Sequence, residues 1–403
     1  MSSATSHRPP PAATTTPLTW SRRETWSRLA SAFLAPLFFV IAFPLLFVGA
    51  IHSPTPNDLP ILIVGPDTVV SQVTAGLDDS ESFKATQTDI VAEARASVEE
   101  RRVMGSIQID VTQEASPTFT VTTYVASAEG RAVAGAVQAA GADIAEQFGT
   151  TADVVEVAPL DAKDPLGTNL FYLMTYTSLA AYLVIIVLMQ VQPTARLRYR
   201  YVAVTSAALT APLIVFGLSS IFVGDYGASF GTIAGLLGVA ALYVFTVGSA
   251  AILLEQFLGK AATIGIMGFI VLLNFPSSGG PTPASLLPTF WQAVHGFYFG
   301  SGAYESFRGI IYFDGAGTAR WLLQLLAWTG GLVLVTLVVH LAKTTRRQRH
   351  ELAALRPGAT AAPTPGPALP ADAREPVLAT SPSGEDHAHA RQLPTTTENG
   401  ATR

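Results

Sequence analysis

The chain reads as a polytopic α-helical membrane protein, with six transmembrane helices and a small α/β extracytoplasmic domain between helices 1 and 2. Three observations predict this class. Charged residues are 13 % of the 403-residue chain, about half of what soluble domains carry, and hydrophobic residues reach 49 %. Six stretches long enough to cross a bilayer hold no Asp, Glu, Lys or Arg. Lys and Arg concentrate in every second connection.

A hydrocarbon layer of roughly 30 Å takes about 20 apolar residues as a helix. Residues 29–51 supply the first span. The second, 167–191, falls within the 31 uncharged residues between Asp164 and Arg196. The third, 202–223, lies among the 24 between Arg200 and Asp225. The fourth is 230–254. The 44 uncharged residues between Lys260 and Glu305 hold the fifth, 261–275, and then Pro276, Ser277, Ser278, Gly279, Gly280, Pro281 and Pro283 break the helix. The segment 276–316 is too polar and interrupted to face lipid and is expected as a re-entrant or interfacial outer segment. The sixth span is 320–342.

Arg8, Arg22, Arg23 and Arg28 precede the first span; Arg196, Arg198 and Arg200 stand in the loop 192–201; Lys343, Arg346, Arg347 and Arg349 come after the last span. The positive-inside bias therefore puts both termini in the cytoplasm. Ser21-Arg22-Arg23 resembles a twin-arginine export signal. The apolar stretch after it exceeds a signal core, and no small-x-small cleavage site precedes the domain. Residues 17–28, with Trp20 and Trp26 beside Arg22 and Arg23, are expected instead as an amphipathic helix on the inner leaflet. The Ser/Thr/Ala/Pro stretch 1–16 and the end of the tail 343–403, basic and then proline-rich, bury too little to offset ordering entropy and are expected to be disordered.

Residues 52–164 are long enough for a soluble domain and carry 18 acidic against 6 basic residues. Leu59–Val64 reads as a buried strand, and Gly65-Pro66-Asp67 as a turn opening a helix through Leu77. Glu93–Arg102 reads as a charged helix, Ser106–Val111 and Thr118–Val125 as strands, Arg131–Phe148 as an alanine-rich helix, and Ala152–Val157 as a last strand. Alternating strand and helix gives an α/β domain.

The chemistry is mostly excluded. With no cysteine there is neither a disulfide framework nor a cysteine metal cluster. Net charge −5 without a basic face argues against nucleic acid. No G-x-S-x-G, H-E-x-x-H or P-loop occurs, so the chain is not expected to be an enzyme or to hold a cofactor. The spans hold no acid for a proton- or sodium-coupled carrier, and any energy for transport comes from elsewhere. Gly231, Gly235 and Gly238 favour close helix packing, within the subunit rather than across a dimer seam. Glu305 and Arg308, at i,i+3, pair if helical. With Phe290, Trp291, Phe297, Tyr298, Phe299 and Tyr304 around them, they make either an outer gate or an aromatic interface anchor.

One span, an α/β domain, then five spans with an S-S-G-G-P break after the fifth resembles the ABC-2-type permease superfamily, and within it the YhgE/Pip (phage infection protein) branch. The likeness is carried by Asp164-Pro165-Leu166-Gly167, by the glycine-rich spans four and five, and by Asn274–Ile311 (NFPSSGGPTPASLLPTFWQAVHGFYFGSGAYESFRGII). The resemblance implies a bacterial inner-membrane exporter subunit that forms a homodimer and moves an apolar or amphipathic substrate. It implies a separate ATPase, the source of ATP hydrolysis, resting on the loop with Arg196, Arg198 and Arg200, with the Trp20, Arg22, Arg23, Trp26 helix beside it. Gly279, Gly280 and Pro281 are then the outer break, with Glu305 and Arg308 in the helix after it. The rival expectation is a non-transporting receptor or scaffold whose extracytoplasmic domain binds an envelope component or foreign particle.

Overall fold

The computed structural model of the protein describes residues 22–112, 118–280 and 282–354. The expected disordered ends, Trp20 and Pro281 lie outside them. Helix α1 (Arg22–Phe43) runs straight through residues 28 and 29. The expected interfacial helix and first span are therefore continuous in backbone, because Leu29-Ala30-Ser31-Ala32 contains no residue that stops a helix. Pro44, which cannot donate to the helical ladder, opens a π turn (Pro44–Val48) that leads into α2 (Gly49–Ile51).

The α/β domain obeys the alternation of its sequence: β1 (Leu59–Val64), α3 (Asp67–Asp78), β2 (Phe83–Thr88), α4 (Ala92–Glu99), β3 (Gly105–Thr112), β4 (Thr118–Val125), α5 (Arg131–Gln147) and β5 (Ala152–Glu156). The strands form one mixed sheet in the order β2-β1-β3-β4-β5, antiparallel only between β3 and β4. Alternate residues of β1 separate the two faces. Leu59, Ile61 and Ile63 join Val70 and Val73 of α3 and Val133, Val137 and Ile144 of α5. Leu62 and Val64 meet Ala94 of α4 on the other side. Gly141 lets α5 lie against β4, where a Cβ would collide with Thr123. β2 (FKATQT) was not legible, since it is an edge strand with only Ala85 buried.

The rest is helical. α6 (Asn169–Val191), α7 (Leu197–Val223) and α8 (Phe230–Leu258) pack on one another. α9 (Ala262–Ile266), a π segment (Met267–Leu273) and α10 (Asn274–Ser277) form one interrupted rod. α11 (Thr289–Phe297) and α12 (Phe299–Tyr312) precede α13 (Thr318–Ala354). Four helices, α6, α7, α8 and α13, are long and apolar enough to cross a membrane; the apolar stretches Pro36–Ile51 and Ala262–Ser277 are shorter.

Three expectations are corrected here. α7 begins at Leu197, so Arg198 and Arg200 lie in its first turn rather than in a loop 192–201. Likewise α8 runs to Leu258 and α13 to Ala354. A charge gap marks where hydrocarbon ends, whereas a helix continues as far as its backbone bonds and formers allow. Gly231, Gly235 and Gly238 make no close helix contact and face outward; the crossing of α7 and α8 uses Gly248, where a Cβ would collide with Val204.

Gly248→Val should therefore destabilise the protein by about 2 kcal/mol, as overpacked cores do. Gly235→Val, which meets open space, should leave stability unchanged or raise it by a few tenths of a kcal/mol, because Val has a higher helix propensity than Gly. Thermal unfolding of the two variants in one detergent checks the contrast, and equal losses would refute this crossing.

Candidate functional site

α12 is a 14-residue helix with Phe299 through Gly309 buried on every face. Such a helix is normally apolar all round, yet this one carries Glu305 and Arg308 on adjacent turns. Both are satisfied by two residues of the α/β domain. Arg308 Nη1 donates to Glu305 (3.0 Å) and to Glu129 (3.1 Å); Arg101 donates through Nη2 to Glu305 (2.6 Å) and through Nε to Glu129 (2.5 Å). Each carboxylate thus meets both guanidiniums, and the four charges close into a ring of zero net charge. Their side chains are between 3 % and 7 % exposed.

Local structure aims each group. Arg101 comes just after α4 in a left-handed conformation (φ 59°). Arg102 N–H donates to Ser97 O (2.8 Å) and Arg101 N–H to Val98 O (3.1 Å), the pattern of a helix C-cap. Glycine usually occupies that place; a non-glycine residue there costs about 1 kcal/mol, and here it turns the guanidinium toward α12. This cap also ends the helix read as Glu93–Arg102 at Glu99. Glu129 closes a 3-10 turn (Ser127–Glu129) before Gly130 (φ 128°), against which Pro283 is pressed. The rings of Phe313 and Tyr304 lie 5.0 and 4.8 Å from the guanidiniums of Arg101 and Arg308.

The break before α11 completes the surroundings. Gly279 (φ 85°) accepts from Arg308 Nη2 at its carbonyl (3.2 Å), and a Cβ on it would crowd Glu305 and His295. Gly280 abuts Phe171, where no side chain fits. His295 Nδ1 donates to Ser277 O (2.8 Å), which leaves Nε2 facing Glu305 at 3.9 Å. Burial pushes the His295 imidazole below its usual value against the pull of Glu305. Burial would raise Glu305, but the guanidiniums of Arg308 and Arg101 outweigh it and hold the carboxyl at about 2. Cavities of about 300 and 290 Å³ flank Arg308.

The six aromatics divide. Trp291, Tyr298, Phe299 and Tyr304 are buried within the bundle, so only Phe290 and Phe297 remain placed as interface anchors. At the opposite ends of the helices, Arg200 is engaged by Glu255, and Lys343 donates to Gln256 O. Arg196 and Arg198 are exposed, without a carboxylate partner among the described residues. Arg23 and Trp26 are exposed on α1, and Arg22 is its first residue. Among the described residues no three His, Cys, Asp or Glu converge as a metal site.

Fold and site together define a helical bundle with membrane-length apolar helices, joined to an α/β domain by a buried ionic ring. Comparison with family models, curated proteins and solved structures finds no match to this chain. Arg101 and Glu129 carry no local sequence signal of their partnership, since their partners lie 204 and 179 positions away.

Opening the ring should be costly. Glu305→Gln or Arg101→Gln leaves a buried charge uncompensated and should lose about 3–5 kcal/mol, while the double variant should lose less than the sum, a coupling read by a thermal-unfolding cycle.

The pH dependence has two windows. His295 binds its proton less readily in the fold than in the unfolded chain, so stability falls on acidification below about pH 6.5, by up to about 1.4 kcal/mol per pH unit. Glu305 contributes fully above about pH 4.3, its unfolded value, and that part is lost as pH falls toward about 2. His295→Gln should remove the upper window and spare the lower.

Proposed function

We propose that this chain is the membrane-spanning, permease-like subunit of an ABC-2-type exporter. In this reading six spans cross a bacterial inner membrane: α1 with α2, α6, α7, α8, α9 with α10, and α13. Both termini and the α6–α7 loop are cytoplasmic, and the α/β domain lies outside. The subunit acts as a homodimer on an apolar or amphipathic substrate, and ATP is hydrolysed by a separate partner.

The observation that carries the reading is the placement of charge. The apolar cores of the membrane-length helices hold no acid or base, so these helices offer no charged relay for coupling ion flow to movement. At the cytoplasmic ends Glu255 neutralises Arg200, which leaves Arg196, at the N-cap of α7, and Arg198, in its first turn, exposed. An exposed basic pair at a helix start suits docking on an acidic surface of a nucleotide-hydrolysing partner. The receptor reading draws instead on the groove of about 450 Å³ between α3 and α5, floored by Val73, Leu77 and Ile144.

Crosslinking and mass spectrometry of the protein taken gently from native membranes test the two. An ATPase crosslinked to Gln192–Tyr201 is expected. Repeated recovery without an ATPase, but with a partner on residues 52–164, would replace the exporter by the receptor. Arg196→Ala with Arg198→Ala should abolish the ATPase crosslinks at unchanged stability. Arg200→Ala should instead cost about 2 kcal/mol of stability, because it strands Glu255.

A further inference from the structure

The ring consumes the charges of Arg101, Glu129, Glu305 and Arg308, but one cation beside it stays free. Arg320, at the start of α13, lines the same cavity of about 300 Å³ and lies 4.8 Å over the ring of Trp321, without a carboxylate partner among the described residues. The groups facing this cavity therefore sum to one positive charge, with His295 neutral. Ser285 also lines it, and its hydroxyl is buried with no hydrogen-bond partner. A buried hydroxyl left unpaired costs about 1–3 kcal/mol, a cost that an oxygen-bearing anion drawn to Arg320 would relieve.

The helix that supplies Arg320 continues into an apolar groove. Trp321, Leu325, Trp328, Leu332 and Val335 recur at helical spacing on one face of α13. About 15 Å along the axis from Trp321, a groove of about 460 Å³ opens between α13 and Leu253 of α8, lined by Ala327, Trp328, Gly331, Leu332 and Val335. Nothing occupies the space where a Cβ on Gly331 would stand. Thr246 and Thr329 hydrogen-bond across the two helices (2.6 Å) and hold the walls together. Fifteen ångströms is about the depth of one leaflet, so one face of α13 carries a cationic end and an apolar run at the spacing of a lipid's headgroup and chain.

We propose that the cavity at Arg320 and the groove at Gly331 form one site for a singly charged acidic lipid, its anionic headgroup against Arg320 and Ser285 Oγ and one acyl chain along Trp328, Gly331 and Val335. This deepens the reading of an amphipathic substrate and rests on α13 lying in a bilayer, though not on an ATPase partner. Zwitterionic lipid can fill the groove but leaves the surplus charge unmatched.

Trp328 reports on the groove directly. The full chain with Trp20, Trp26, Trp291 and Trp321 replaced by Phe, which keeps an aromatic face under Arg320, is reconstituted in phosphatidylcholine bilayers. Brominated-chain phosphatidylglycerol or brominated phosphatidylcholine is then titrated in. Both should quench Trp328, with half-quenching at about fivefold lower mole fraction of phosphatidylglycerol, the effect of one charge-assisted hydrogen bond. Arg320→Gln should erase that preference and Arg320→Lys should retain it.

Equal quenching by the two lipids overturns the proposal, as does a preference that survives Arg320→Gln. Relief of the preference by inorganic phosphate at equal concentration would make this a free-anion site and overturn the lipid assignment. Absence of quenching by either lipid would instead remove α13 from the bilayer and sink the membrane reading itself. Should the single-tryptophan variant misfold, the unaltered chain and Arg320→Gln are equilibrated with mixed vesicles of the two lipids. Loss of phosphatidylglycerol enrichment in the variant supports the site, and equal enrichment overturns it.

Discussion

The arrangement turns on four charges that cannot be separated once water is gone. Arg101, Glu129, Glu305 and Arg308 are buried, and each carboxylate is shared by both guanidiniums. Desolvating one such ion costs several kcal/mol, and only a fully satisfied partner set offsets it. Half a ring is therefore worse than none. Glu305 and Arg308 on α12 alone would leave Arg308 only one of its two carboxylates; Arg101 and Glu129 in the α/β domain face the mirror-image problem. Completing the ring makes the domain and α12 one object, and the strained C-cap at Arg101 is tolerated because it delivers the guanidinium to that place.

Other contacts lie along the same seam. Leu286, from the segment between α10 and α11, belongs to the core of the α/β domain. Phe313 packs with Val98, Ala126, Ala128 and Ala158. Asn57 N–H donates to Ser285 O (3.3 Å), and Pro283 fits against Gly130. The stretch between the rod ending at Ser277 and the start of α13 is thus shared between the domain's interior and the bundle. α12 in turn packs against α6 and α8, so the seam runs from the domain's interior into the bundle.

Sequence reasoning reached the parts that local physics controls. Apolar length located the membrane-length helices α6, α7, α8 and α13, period-two and β-branched runs located four of the five strands, and i,i+3 spacing paired Glu305 with Arg308. It failed where the deciding partner is remote. β2 is polar because only one face of an edge strand is covered. Arg101 and Glu129 read as two more charges on an acidic domain, since nothing near them in sequence reveals that α12 arrives between them. The glycine pattern in α8 misled for a related reason. Spacing identifies a face that permits close approach, but only the crossing partner decides which glycine is used, and Val204 selects Gly248.

Ionic fasteners stand at both ends of the bundle, and their positions divide the helices by firmness. At one end the ring binds α12; at the other Arg200 with Glu255 and Lys343 with Gln256 O hold α7, α8 and α13. Between those ends α13 is joined to its neighbours by few polar contacts: Thr329 to Thr246, Gln324 to Tyr298 O and Ser301, and Trp328 to Phe297 O. The π segment Met267–Leu273 lacks the regular ladder of the flanking helices. The apolar groove between α8 and α13 therefore lies between two fastened ends, and the Thr246–Thr329 bond across it keeps its two walls at one spacing.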